Sequence, residues 1–244
     1  MFTSLPGSLR NELSEASATL RTLRPLAPEA IDAAPEAHFL SLRHALSAHY
    51  LALRDGGPHC RRAQREADVL AALRAETEIL SLSSPRRFTQ GLAALNHALA
   101  GDSGGWRTGF VRLGDDRMGS RIYFPPVSAV PTQLNRLRRA IANRASTPPL
   151  FAAASAYALL LNCHPFSDGN GRTARVLFNH LLHRAGMPLG VYLPLYEIAR
   201  RSDGGYEIAL RLAELRGEWE PFLRFVLNAI ACQRAIAAEA GIDD

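Results

Sequence analysis

The stretch HPFSDGNGRTAR, residues His164 to Arg175, decides how the rest of the chain is read. It follows Leu150 to Asn162, a run apolar around its whole circumference, which predicts a buried central helix ending just before His164. The chain then turns through Pro165, Gly169 and Gly171 flank Asn170, and helical periodicity resumes at Val176. Glycines there permit positive φ and a close backbone approach, while a new helix start leaves N–H groups unsatisfied and aligned. Such a turn is an anion site, and phosphate suits it. Arg172 and Arg175 are three apart and project from neighbouring positions, so two guanidiniums beside an amide nest suit several phosphates in a row. Asp168 alone would repel phosphate; its use at such a site is to hold Mg²⁺ bridging phosphate oxygens. His164, on the same turn, offers a neutral imidazole that accepts a proton. Phe166 lies between them and is expected to point inward. A glycine turn by itself is ordinary. The weight comes from several functional residue types at fixed positions directly after a buried helix.

Working outward, the periodicity is helical almost throughout. Leu9, Leu13, Ala16, Leu20 and Leu23 form one apolar stripe, and Phe39, Leu42, Leu46, Tyr50 and Leu53 a second that stops at Asp55-Gly56-Gly57-Pro58. Further helices are expected from about Arg61 to Leu80 and from about Phe88 to Ala100, the latter stopped by Gly101. Another starts near Pro131 with Leu134, Leu137 and Ile141 inward. Past the motif, helix continues to about Arg184, and a last long one opens with Pro221. One segment breaks the pattern: Trp106 to Pro126 carries β-branched and aromatic residues on either side of Gly114-Asp115-Asp116 and reads as a β-hairpin.

With 244 residues and 47% hydrophobic content, the chain buries a core as one domain or one domain with an appendage. The net charge of +5 allows acidic partners without demanding nucleic acid. All 28 basic residues are arginine, so only an arginine in a defined place is informative. Arg136, Arg138, Arg139 and Arg144 therefore read as the polar face of a helix. Cys60, Cys163 and Cys232 make neither a disulfide framework nor a zinc site, and fit a reducing compartment. No secretory leader or membrane span is evident, and a soluble, cytoplasmic protein is expected. His180 and His183 lack a third ligand at suitable spacing and read as a solvated helix face.

The motif resembles the Fic signature HxFx(D/E)GNGRxxR at every specified position: His164, Phe166, Asp168, Gly169, Asn170, Gly171, Arg172 and Arg175. GGWRTGFVRL and RIYFPP look like the family's flap hairpin, ahead of the motif as usual. The resemblance implies a mainly α Fic-type helical bundle with one β-hairpin flap, divided as a helical extension over residues 1–80 and a Fic domain over 81–244. It implies a protein adenylyltransferase that moves AMP from ATP to a Ser, Thr or Tyr hydroxyl of a target protein and releases pyrophosphate. His164 would be the base and Asp168 the ligand of Mg²⁺ (or Mn²⁺). Gly169, Asn170 and Gly171 would cradle the α-phosphate, Arg172 would contact the β- and γ-phosphates, and Arg175 the γ-phosphate. Tyr206, in SDGGYEIAL, would line the adenine pocket or simply pack on the core. Arg121, Ile122, Tyr123 and Phe124 of the flap would dock an extended target segment. Doc-type kinases carry lysine where this chain has Gly171, which favours nucleotidyl over phosphoryl transfer. Transfer of another phosphate-containing moiety, or a non-catalytic nucleotide- or partner-binding module, are the alternatives.

The family also holds many members off with a glutamate in the motif (S/T)xxxE(G/N), paired with the second motif arginine, here Arg175. No complete copy occurs. Glu12 follows Ser8 but precedes Leu13, and Glu239 stands four residues after Ala235, so both read as helix surface. Control by a separate antitoxin-like partner, absence of control, or a diverged motif are the three readings left.

Overall fold

The computed structural model describes residues 4–45, 61–76, 82, 84–112, 123–142 and 147–241. Their regular structure is helical: α1 (Gly7–Thr19), α2 (Pro28–Ala33), α3 (Arg61–Glu76), α4 (Pro85–Ala100), α5 (Val130–Ala142), α6 (Pro149–Cys163), α7 (Asn170–Arg184), α8 (Leu195–Arg200), α9 (Gly205–Arg216) and α10 (Glu220–Glu239). None is long and apolar enough to cross a membrane.

The central position of α6 follows from its composition. Pro149 sits in its first turn, where a missing N–H costs nothing, and every residue from Leu150 to Ala158 is buried. The alanines on this helix let its neighbours approach closely, and α7 lies along it through Ala174, Leu177, Phe178 and Leu181. On another side α5 packs Leu134, Leu137 and Ile141 inward, as their spacing predicts. Leu9 and Leu13 of α1 join Phe222, Val226 and Ile230 of α10 in the same core, so the N-terminal segment shares the main apolar cluster. A second, smaller cluster brings Ala63 and Leu70 of α3 against Leu95 and Leu99 of α4, Val176 of α7 and Tyr192. It is this cluster that sets α3 across the motif helix.

Two elements differ from the periodicity. The motif helix starts at Asn170, not at Val176, because Gly169 in the left-handed region (φ 78°) reverses the chain and Gly171 already lies in the first turn. A loop-like composition thus conceals the helix start. Glu36–Leu42 forms a 3₁₀ helix between prolyl and extended residues, where Phe39 and Leu42 suggested an α-helix. The later part of that stripe, and the breaker at 55–58, lie outside the described residues. Helix α3 is described to Glu76, and its expected end at Leu80 lies outside the described residues. In the flap segment the described residues make isolated antiparallel bridges, Arg112 with Tyr123 and Trp106 with Phe166, and Phe124 N–H donates to the Val111 carbonyl at 3.4 Å. The intended turn, with Arg121 and Ile122, lies outside the described residues.

Candidate active site

The C-terminus of α6 delivers His164 in a left-handed conformation (φ 45°, ψ 58°), its N–H bonded to the Leu160 carbonyl at 3.0 Å. A side chain is costly there, and a non-glycine residue persists only where its surroundings fix it. The following loop supplies that fixing. Asn170 accepts from the Phe166 N–H at 3.0 Å and donates back to the Phe166 carbonyl at 2.9 Å. Phe166 is fully buried as expected, against the Trp106 ring at 4.7 Å. Backbone bonds from Arg107 N–H to Pro165 and from Ser167 N–H to Gly105 stitch the loop to the base of the flap.

Two polar residues that the motif did not announce hold this frame. Buried Asn96 of α4 donates to the Asp168 carbonyl at 2.9 Å and to Thr173 Oγ1 at 3.1 Å, and accepts from Gly105 N–H. A Cβ at Gly169 would stand 2.8 Å from this amide and 2.9 Å from Ala100 Cβ, so glycine is required by space as well as by φ. Buried Arg107 donates to the carbonyls of Gly109, Pro125 and Cys163, tying the two flap ends to the end of α6. In sequence Asn96 is one of several polar residues on an amphipathic helix and Arg107 one arginine among 28; neither offers a signal.

The chemistry is arranged around this frame. The first N–H groups of α7, from Asn170 to Arg172, have no carbonyl acceptor within the helix, as at any helix start. The Asn170 side chain is spent on shaping the loop, which leaves its backbone N–H for a ligand. Burial lowers the His164 pKa to about 4, so its imidazole is neutral at neutral pH. Its ring is stacked on Phe124 at 3.7 Å. Burial alone would raise the Asp168 pKa, but hydrogen bonds from Gly169 N–H (2.6 Å), Ser103 Oγ (3.0 Å) and Arg172 (2.7 Å) outweigh it and keep the carboxylate ionised. Arg172 also donates to the Leu99 carbonyl. A cleft of about 340 Å³ adjoins these groups, lined by His164, Gly171, Phe124, Tyr206 and Glu207 among others. Tyr206 lines the cleft, and its hydroxyl meets that of Tyr157 at 2.6 Å within an aromatic cluster. Cys163 is a buried filler, its pKa pushed up to about 12 by burial.

Arg175 is engaged differently from Arg172. It is buried and forms a two-pronged ion pair with Glu66 of α3, Nη2 to Oε1 at 2.5 Å and Nε to Oε2 at 2.9 Å. Tyr192 donates to the same carboxylate at 2.6 Å. Arg62, also from α3, stacks on Tyr196 at 4.1 Å, and Arg175 stacks on that ring at 5.1 Å. The glutamate that reaches Arg175 is therefore internal, and it is neither Glu12 nor Glu239. Glu12 pairs with Arg224 at 3.3 Å and Glu239 with His38 at 2.9 Å, both on the surface. The (S/T)xxxE(G/N) pattern misses Glu66 because Arg62 stands at its first position and Ala67 at its last.

Comparison with known proteins agrees with this geometry. The family model described as Fic/DOC matches residues 39–182. The protein adenylyltransferase Fic of Drosophila grimshawi is 42% identical over 83 residues, which are 34% of this chain and 16% of that protein. The chain thus matches only about a sixth of the length of that curated relative. A Fic family protein from Desulfovibrio desulfuricans G20 superposes with a TM-score of 0.59 at 22% identity, covering 99% of this chain and 68% of the other. The structure of IbpAFic2 covalently tethered to Cdc42 superposes with a TM-score of 0.53 at 16% identity, covering 94% and 72%. The motif from His164 to Arg175 lies inside the matched span, on the fold that these structures share, and the chain belongs to the Fic/DOC family.

Proposed function

We propose that this chain is a protein adenylyltransferase, transferring AMP from ATP to a Ser, Thr or Tyr hydroxyl of a target protein with release of pyrophosphate. The observation that carries this reading is a neutral His164 held in a strained left-handed turn beside the first turn of α7 and at the edge of the cleft. His164 takes the proton of the target hydroxyl, whose oxygen attacks the α-phosphorus; the bond to the bridging oxygen breaks and pyrophosphate departs. The amides of Asn170 and Gly171 hold the α-phosphate oxygens, joined by Gly169 once its N–H leaves the Asp168 carboxylate, while Arg172 takes the β- and γ-phosphates and Arg175 the γ-phosphate. Tyr206 borders the base. The flap segment, with Arg121, Ile122, Tyr123 and Phe124, would lay the target segment across the site by edge pairing. Tyr123, 55% exposed, is the member best placed to touch it, and Phe124 holds the His164 ring. A target protein is supported by the IbpAFic2–Cdc42 structure, whose partner is itself a protein.

Asp168 is the group that fits a divalent ion. Mg²⁺ takes one or two carboxylates and completes its shell with phosphate oxygens and water, and a single half-exposed carboxylate beside an anion site meets that need. Mg²⁺ or Mn²⁺ bound there would neutralise charge developing between the α- and β-phosphates. Among the described residues no cluster of three His, Cys, Asp or Glu offers a protein-only cage. Asp168→Ala is expected to lower the transfer rate by about tenfold to a hundredfold. Measured against metal concentration, the variant should lose most of the wild-type response; undiminished wild-type turnover in excess EDTA would refute the role.

The Glu66–Arg175 pair makes the resting chain its own inhibitor, with the glutamate standing where the γ-phosphate belongs, so a separate antitoxin-like protein is not needed for restraint. Incubating a cell lysate with the protein and labelled ATP, followed by mass spectrometry, tests the activity: AMP on target hydroxyls supports it, and its absence with the Glu66→Gly chain contradicts it.

A further inference from the structure

Arg107 is buried at the root of the flap, and the partners of its guanidinium are carbonyl oxygens. Their places matter more than their number. Nη2 donates to the Cys163 carbonyl, in the peptide that enters His164, and to the Pro125 carbonyl, one residue past Phe124. His164 and Phe124 are the stacked pair whose ring centroids lie 3.7 Å apart. One nitrogen therefore ties the backbones behind both rings. Nη1 reaches the Gly109 carbonyl, and the Arg107 backbone N–H donates to the Pro165 carbonyl at 3.1 Å, on the far side of His164. The chain before and after His164 is thus held by one residue.

A buried guanidinium is a costly fastener. Charges taken out of water are ordinarily matched by an opposite charge, and among the described residues no carboxylate pairs with this one. A neutral amide would bond a carbonyl without that cost. The position at the end of α6 gives the charge a use. The last carbonyls of a helix lack intrahelical donors and carry the negative end of its dipole, so a cation secures them. The peptide secured here leads into His164 at φ 45°, a conformation that persists only where its neighbours over-determine it. The charge also opposes protonation of the imidazole. Burial is the largest cause of the low His164 pKa; Arg107 adds to it, while a backbone bond at Leu161 and the Asp168 charge act the other way.

We infer that Arg107 is the positioning residue of the base: its guanidinium fixes the peptides behind His164 and Phe124 so that the imidazole meets the attacking hydroxyl. The inference rests on His164 being the base of AMP transfer. Arg107 acts through His164 and not on the nucleotide, so its loss is felt in the rate and not in nucleotide affinity. The loss is also felt whichever hydroxyl attacks, a target's or that of water, since both give their proton to the same imidazole. Attack by water on ATP yields AMP and pyrophosphate and needs no docked target. A role confined to the flap would therefore spare it.

Initial rates in the full chain carrying Glu66→Gly, with Mg²⁺ and α-labelled ATP, test this. Label on lysate protein reports transfer, and AMP released without lysate reports attack by water. Adding Arg107→Gln is expected to lower both rates by about thirtyfold or more, as for a misplaced base. ADP affinity in calorimetry should stay within about threefold of the parent chain. Arg107→Lys keeps a charged donor able to serve two carbonyls and should hold both rates within about tenfold of the parent. In a chain that already carries His164→Ala, Arg107→Gln should change the residual rates by less than about threefold, because residues that act as a unit are not additive. A full further loss there overturns the assignment, as does protein labelling that falls while attack by water is intact. So does a glutamine variant that keeps both rates, that no longer melts cooperatively, or whose ADP affinity falls in step with the rates. Each of these leaves AMP transfer standing. A Glu66→Gly chain with neither transfer nor AMP release removes the function and this inference with it.

Discussion

Glu66→Gly is expected to raise the initial rate of AMP transfer by about tenfold or more, while making the nucleotide-free protein less stable. Both effects have one cause. Arg175 is buried, and in the resting chain its charge is matched by the Glu66 carboxylate at 2.5 and 2.9 Å. Removing one member of a buried pair leaves the other uncompensated, at a cost of about 3–5 kcal/mol. A γ-phosphate can take the vacated place, so the penalty becomes binding energy for ATP. Thermal melts should therefore show a variant well below wild type without nucleotide and a larger upward shift with ATP than wild type shows. The anchoring of α3 suits such a release, because its apolar contact with α4 and α7 is built largely on Ala63, Ala67 and Leu70. Initial rates with labelled ATP give the kinetic half. Loss of stability without gain of activity would mean that the pair is only part of the fold.

His164→Ala is expected to cut transfer by about 10²–10⁴, the usual span for losing a positioned general base, with ATP affinity within a few fold of wild type. In the proposed mechanism the side chain acts on the target hydroxyl and not on the nucleotide. The sign of its pH dependence follows from its burial. Because the folded pKa lies near 4 and not near 6.5, the base form is gained on raising the pH through about 4 and is complete by neutrality. The limb of the pH–rate profile that belongs to His164 should lie in that acid range, and a limb centred near 6.5 that disappears in the alanine variant would contradict the buried placement.

Much of the site was legible because its residues are contiguous. His164, Asp168 and the glycines occupy one turn, and their chemistry is set by a local backbone path that sequence spacing reveals. The central helix was equally readable, since no surface helix is apolar on all sides. The start of α7 was half legible: the glycines announced a helix start with unpaired amides, while regular periodicity was evident only from Val176. Glu66 was illegible for a different reason. Its partner is 109 positions away, it matches no pattern at its flanks, and in sequence it is one acid on an amphipathic helix. Glu12 and Glu239 looked no different from it. Only the packing of Ala63 and Leu70 against the motif helix turns one face of α3, and with it Glu66, toward Arg175.

The most direct test of nucleotidyl transfer is to follow which phosphate stays. The full chain carrying Glu66→Gly would be incubated with Mg²⁺, a lysate and ATP labelled at either the α- or the γ-phosphate, and protein-bound label counted after denaturation. Attack at the α-phosphorus predicts stable α-label on protein, γ-label released as pyrophosphate, and neither retained when His164→Ala is added. Retention of γ-label on protein would show phosphoryl transfer and contradict the mechanism at its centre.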